Sequence, residues 1–230
     1  MFVVDIQYAY LVAHLPYILM WIGLYVFFPL VRHALVWMSL VCALGGPLSA
    51  PLFVPSYWMP ESAFSVRIGS FKFMIEDVIN ASVFTGIVSA MYQAVHSKVL
   101  VDDRSLSGGA RYACLTVAFV SLLLVAFINA IFATAAGFLA GALYVVHRRG
   151  DLAQASIESG GLAVLSMAIG HTLAYLLIVN GDEVVRRFWH FTYTEVWGKA
   201  GVLAVELVWA FAFGTFFGPL YAFGRRMRYV

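Results

Sequence analysis

Charge is scarce in this chain. Of its 230 residues only 11% are Asp, Glu, Lys or Arg, while 63% are hydrophobic and the mean hydropathy is +0.89. Soluble domains carry roughly a quarter charged residues, so this composition excludes that class and points to an integral membrane protein. Cysteine is nearly absent: Cys42 and Cys114 both lie in apolar runs, where a thiol is a small hydrophobe and not a disulfide partner or a metal ligand. No basic residue precedes Arg32, so the first apolar run lacks the positive leader of a secretory signal and reads as an uncleaved helix. The sequence has no Gly-rich phosphate loop, no zinc-type His-Glu motif and no nucleophile elbow. A retinal Schiff base needs a lysine within the bilayer, yet Lys199 sits at the mouth of the last apolar run and the other lysines are in loops. The carboxylate pairs Asp102-Asp103 and Asp182-Glu183 fall on opposite sides in the topology below. They therefore read as solvated loop charges, not as the metal cluster of a prenyl transferase.

What is present is a series of long apolar runs, each able to cross a hydrocarbon core of about 30 Å. Seven are expected, at about Gln7 to Leu30, Leu35 to Pro55, Phe73 to Val95, Arg111 to Ile128, Ala130 to His147, Gly160 to Val179 and Gly201 to Phe223. The fourth and fifth form one uncharged stretch too long for a single crossing, so a hairpin is placed at Ile128-Asn129-Ala130, with Asn129 as a helix cap. Seven crossings leave Arg67, Lys72, Arg186, Arg187 and Lys199 on the N-terminal side and the other nine basic residues opposite. That bias puts the N-terminus outside and the C-terminus in the cytoplasm. The net charge of +2 reflects this topology and gives no sign of nucleic acid.

Two of the runs open alike. Asp77 and Glu206 are each followed by Ala at +4 (Ala81, Ala210), Phe at +7 (Phe84, Phe213) and Tyr at +15 (Tyr92, Tyr221). On a helix these positions fall within about 80° of one another, so each run carries acid, small residue, ring and phenol on one narrow face. Four runs separate the two, so the helices run in the same direction, bring the acids to one depth and put the tyrosines about 22 Å lower. Basic clusters also recur at Arg32-His33 and His147-Arg148-Arg149. The expected architecture is an all-α polytopic bundle of two three-helix repeats, 1–110 and 130–230, joined by a linking helix at 111–129. A site is expected at the repeat interface.

Carboxylates also gather near helix N-termini because the helix dipole favours them, and Glu76, pointing about 100° away from Asp77, fits that reading as well. Ionisable groups inside a membrane nevertheless read as functional by default, and here they come as a matched pair. A carboxyl in low dielectric resists ionisation and can act as a general acid toward a double bond or epoxide, with a second group removing a proton after closure. Asp77 is the expected acid and Glu206 the base or co-acid, with Glu76 as a further candidate. Ring faces attract developing cations, which makes Phe84, Trp209 and Phe213 expected substrate contacts along with Tyr92 and Tyr221. Phe211, Phe216, Phe217 and Trp197 are further rings on or near these helices. Asn80 is placed to orient an acid, and His14 and His171 to hydrogen-bond between helices. Trp189 and Trp197 read as interfacial belt residues or a lid.

The run Met74-Ile75-Glu76-Asp77-Val78-Ile79 with Phe84 and Tyr92, and the run Val205-Glu206-Leu207-Val208-Trp209-Ala210-Phe211 continuing to Gly218-Pro219-Leu220-Tyr221, resemble the lycopene cyclase domain family of membrane carotenoid cyclases. That family's acidic motif is a Pro-hydrophobic-Glu-Glu run. Here Met74 stands where Pro is expected, and the second copy, with Ala204 and Val205, keeps the single acid Glu206. The single-acid copy is also similar to membrane cyclases of meroterpenoids and prenylated indoles. The resemblance implies a redox-neutral cyclase acting on a lipid-soluble isoprenoid in contact with membrane lipid, needing no cofactor, metal or nucleotide. A homo-oligomer is one way to enlarge the small cavity that one chain of this length can enclose. From the residues alone, a proton-coupled transporter and a non-catalytic membrane subunit of the same fold stay open beside the cyclase.

Overall fold

The computed structural model describes residues 4–54, 56–62, 64–68, 71–190 and 192–230, with the side chains of 67, 68, 71, 72 and 192–202 outside that description. Helix α1 (Ile6–Ala13) leads into α2 (Leu15–Phe27), the joint falling where Pro16 enters the first turn of α2 and can donate no backbone N–H. Helix α3 (Arg32–Cys42) and α4 (Gly45–Phe53) are bent by 50° at the break before Gly45-Gly46. The hairpin β1 (Ser65–Ile68) and β2 (Phe71–Met74) pairs Ser65 with Met74 and delivers the chain into α5 (Ile75–Val95). Strand β3 (Leu100–Asp102) precedes α6 (Ala110–Val125) and α7 (Ala130–Arg148). The expected hairpin is where it was placed, with the Asn129 side chain accepting from the Ile131 backbone N–H at 3.1 Å. Helix α8 (Ala153–Leu177) is followed by the short α9 (Gly181–Phe188), acidic in its first turn and basic in its last, as the helix dipole favours. Helix α10 (Thr192–Arg225) and β4 (Met227–Tyr229) complete the chain.

The protein is an all-α bundle with two short two-stranded sheets, and a helix lies in each of the seven apolar runs. Among the described residues, five segments are long and apolar enough to cross a membrane: Ile6–Phe27, Ile75–Val95, Ala130–Arg148, Gly150–Leu177 and Leu203–Arg225. The bent pair α3–α4 makes a sixth if counted as one, and α6, with 16 residues, is shorter than a full crossing needs. Large apolar side chains point outward, Phe27 at 76% and Phe127 at 79% exposure, while Ser39, Ser89, Ser156, Ser159 and Ser166 are buried. That distribution suits a hydrocarbon solvent, where helix contacts rely on small residues and internal hydrogen bonds.

Small residues set how closely the helices approach. A Cβ on Gly214 of α10 would stand 2.5 Å from the Ser159 carbonyl oxygen and 2.9 Å from the Gly160 Cα of α8. One turn on, a Cβ on Gly218 would collide with the Ser159 side chain, and Ser156 Oγ donates to the Thr215 carbonyl at 2.7 Å. Gly86 of α5 packs on the Leu35 backbone and Ser39, and Gly137 of α7 on the Val117 backbone and Ser121. At the far end, β3 pairs with β4, and the buried Arg149 donates to Asp151 at 2.6 and 2.7 Å and to the Met227 carbonyl at 2.9 Å.

Gly161, in the same helix as Gly160, has open space where its Cβ would go. Gly214→Ala is expected to lower unfolding stability in detergent by about 1–3 kcal/mol through overpacking against backbone. Gly161→Ala is expected to leave stability unchanged or raise it by up to about 1 kcal/mol. Equal melting of the two variants would mean the α8–α10 seam does not set the helix spacing.

Candidate functional site

Both acids of the matched pair sit at one end of the bundle, and each accepts a tyrosine hydroxyl. Asp77, in the first turn of α5, is buried and accepts from Tyr10 Oη of α1 at 2.8 Å. Glu206 of α10 is half-buried and accepts at Oε1 from Tyr57 Oη at 2.6 Å and from Trp189 Nε1 at 3.2 Å. Tyr10 is also within electrostatic range of Glu76 and Glu206, so the three carboxyls share one region. Burial, then the neighbouring Glu206 charge, pushes the Tyr57 phenol well above its ordinary value, which keeps it a donor. Glu76 is fully buried and accepts from Ser62 Oγ at 2.8 Å, while its Oε1 has no hydrogen-bond partner among the described residues. An acid that merely marks a helix start stands at the surface, whereas Glu76 is fully buried.

The two donors to Glu206 come from segments that pair with each other. Trp58 and Trp189 form an antiparallel bridge, Met59 N donates to the Phe188 carbonyl at 2.6 Å, and His190 N donates to the Tyr57 carbonyl at 2.9 Å. The Trp58 ring meets Tyr10 edge-on at 4.7 Å and Trp189 at 5.7 Å, so an aromatic path connects the Asp77 and Glu206 ties. Trp189 thus touches Glu206 directly and pairs with Trp58. The Trp197 side chain lies outside the described residues.

Below the acids the two matched faces meet. Phe84 of α5 lies 5.3 Å from Phe213 and 6.5 Å from Trp209 of α10, and Phe138 of α7 packs on Trp209, Phe213, Phe216 and Phe217. Trp209 stacks on Phe213 at 4.9 Å and donates its Nε1–H to Thr134 Oγ1 at 3.0 Å. Phe211 is 39% exposed and faces outward. The tyrosines at the lower end diverge from this cluster. Tyr92 packs against Tyr229 and His96, while Tyr221 hydrogen-bonds His33.

The remaining polar residues take other partners than the acids. Asn80 is exposed, and its side chain lies against His14, not against a carboxyl. His14 Nδ1 is 2.6 Å from the Tyr10 carbonyl, and His171 Nδ1 is 2.7 Å from Tyr17 Oη, the interhelical tie expected of it. Asp182 and Glu183 are exposed in the first turn of α9, where Asp182 accepts from Tyr175 and Glu183 pairs with Arg187. Tyr10, Tyr57, Ser62 and Trp58 are site residues that periodicity does not reveal. The available signal was their position, since Tyr10 opens the first apolar run and Tyr57-Trp58 closes the second, both at the depth of the acids.

No family model, no curated protein and no solved structure matches this chain.

Tyr10→Phe and Tyr57→Phe are each expected to cost about 1–2 kcal/mol of stability in detergent. Because the Trp58–Trp189 bridge joins the ties, the double variant is expected to depart from additivity by at least about 0.5 kcal/mol. A strictly additive double variant would mean that the two carboxyl–phenol pairs are independent.

Proposed function

We propose that this chain is a multi-pass membrane cyclase of a lipid-soluble isoprenoid, carotenoid or meroterpenoid in class, with its N-terminus extracytoplasmic and its C-terminus cytoplasmic. In this reading all seven apolar runs cross the bilayer, the short α6 together with the apolar Ala126, Phe127 and Ile128 that follow it, as two three-helix repeats at 1–110 and 130–230 linked by 111–129. The observation that carries it is the pair of carboxyls at one end of the bundle, each tied to a phenol, beside rings contributed by both matched helices. The resemblance of the two acidic runs to lycopene cyclase domains and membrane meroterpenoid cyclases supports the same chemistry.

The reaction balances without an oxidant. A proton from the Asp77 carboxyl adds to a terminal double bond of the substrate, or opens an epoxide, and leaves a tertiary cation. The electron pair of a second double bond closes the ring onto that cation. Loss of a neighbouring proton to Glu206 restores an alkene, so the product is an isomer of the substrate. Tyr10 and Tyr57 hold the two carboxyls in place and offer hydroxyls through which the proton is returned from one acid to the other. Phe84, Trp209 and Phe213 face the cation and stabilise it through their ring quadrupoles. The exposed Asn80, one turn below Glu76, marks a lateral entry from the lipid.

Cells that accumulate linear carotenoids or prenylated aromatics, made to express the chain, are expected to yield a cyclic isomer detectable by lipid profiling. Asp77→Asn and Glu206→Gln are each expected to reduce it by about 10²–10⁴-fold, the usual contribution of a positioned acid or base. Cyclic product formed equally by both variants would remove the acid pair from the mechanism. Proton-coupled uptake into liposomes by the purified chain, with no cyclic product from any isoprenoid, would establish the carrier reading instead.

A further inference from the structure

The carboxyls occupy one end of the bundle, while the other end holds a cleft of about 690 Å³. It opens where α5 and α10 finish, beside the β3–β4 sheet. Its floor is already committed: Gln93 Nε2 donates to the Leu30 carbonyl at 3.0 Å, and His33 hydrogen-bonds Tyr221. Its lining also carries Arg104, Arg225 and Arg226 against the single carboxylate Asp102. None of these three guanidiniums takes part in a salt bridge among the described residues; Arg225 instead lies over the Trp37 ring at 5.3 Å. Arg226 is held at φ 56, a left-handed conformation unfavourable for a residue with a side chain, and the Asp103 N–H bonds its carbonyl at 2.9 Å. Strain of this kind persists only where surrounding structure enforces it, and it gathers at ligand clamps. Beside the arginines stand Leu30 and Val99, 57% and 42% exposed. A bare anion has no use for such apolar walls.

We propose that this cleft is a binding site for the phosphate headgroup of an anionic membrane lipid, with the arginines holding the phosphate and the acyl chains lying along Leu30 and Val99. Guanidinium groups suit the site because their planar donors match phosphate oxygens in pairs. The proposal needs the chain to lie in a membrane but does not depend on the cyclase reading.

Purified full-length chain in neutral detergent, titrated with short-chain phosphatidylglycerol and read by thermal shift, is expected to bind saturably. Phosphatidylcholine of the same chain length and inorganic phosphate are expected to bind at least about tenfold more weakly, since each lacks one half of the recognition. Each arginine near a phosphate contributes about fivefold, so Arg225→Gln/Arg226→Gln is expected to weaken phosphatidylglycerol by about 30-fold. Arg225→Lys/Arg226→Lys keeps the charge and is expected to retain binding within about fivefold, which separates loss of the site from loss of the fold. Arg111→Gln/Arg148→Gln, outside the lining, is the control for general surface charge and is expected to change affinity by less than about threefold. Equal weakening by that control pair would overturn the proposal, as would equal affinity for phosphatidylcholine. Inorganic phosphate binding as tightly as the lipid would overturn it in favour of a site for a free anion.

Discussion

The bundle depends on the backbone contact between α8 and α10 at Gly160 and Gly214. In a hydrocarbon solvent no apolar force pushes helices together, because lipid chains satisfy Leu and Phe as well as a neighbouring helix does. Close approach has to come from small residues and from hydrogen bonds that cannot form elsewhere. Gly214 and Gly218 supply the first, and Ser156 on the Thr215 carbonyl supplies the second. With α10 fixed against α8, its opposite side is left for α5 and α7, where Ser89 Oγ reaches the Phe217 carbonyl at 3.1 Å and Phe138 enters the ring cluster. The depth and heading of Glu206 follow from that seat.

Polarity within the bundle is concentrated at its ends, and the two ends are built differently. At the acid end, Glu76 and Asp77 are buried and Glu206 half-buried, and neutral phenols, an indole and a serine hydroxyl donate to them. At the opposite end, arginines crowd around a cleft with one carboxylate in its lining, and a fourth, Arg149, is buried, pairs with the exposed Asp151 and anchors the last strand. Neutral donors orient a carboxyl without neutralising it, which suits proton exchange. Unpaired guanidiniums suit an anion arriving from outside. The packed rings of Phe84, Phe138 and Phe213 separate the two chemistries.

The sequence made the helices legible because hydrophobic length and the isolated Asn129 are one-dimensional signals, and a cap acts within two residues of itself. It also brought Asp77 and Glu206 to one end and Phe84 against Phe213, since residues spaced by whole turns share a face wherever the helix goes. What it could not supply was the third dimension. Tyr92 and Tyr221 share the same faces yet part company, because two straight helices that touch at one level diverge at others. Tyr92 is claimed by Tyr229, and Tyr221 by His33. Asn80 lies one turn from Glu76 along the helix, but the nearer partner in space is His14 of α1. The donors to Glu206 were hidden for a related reason: Tyr57 and Trp189 are brought together by the Trp58–Trp189 bridge, and loop pairing has no period.

The ring cluster places a physical demand on any substrate of the acids. Phe213 touches Phe217 at 4.3 Å, Trp209 at 4.9 Å and Phe84 at 5.3 Å, so the faces that would stabilise a cation are turned toward one another. Rings at these separations are in direct contact, and interiors of native density do not yield without cost. On the flank of α5 stands α4, a short helix of 9 residues containing Pro51, whose Gly46 rests on the Asp77 carbonyl. In the proposed cyclase a polyene therefore has to part Phe84 from Phe213 before those ring faces can meet a cation, so in that reading ring separation precedes ring closure.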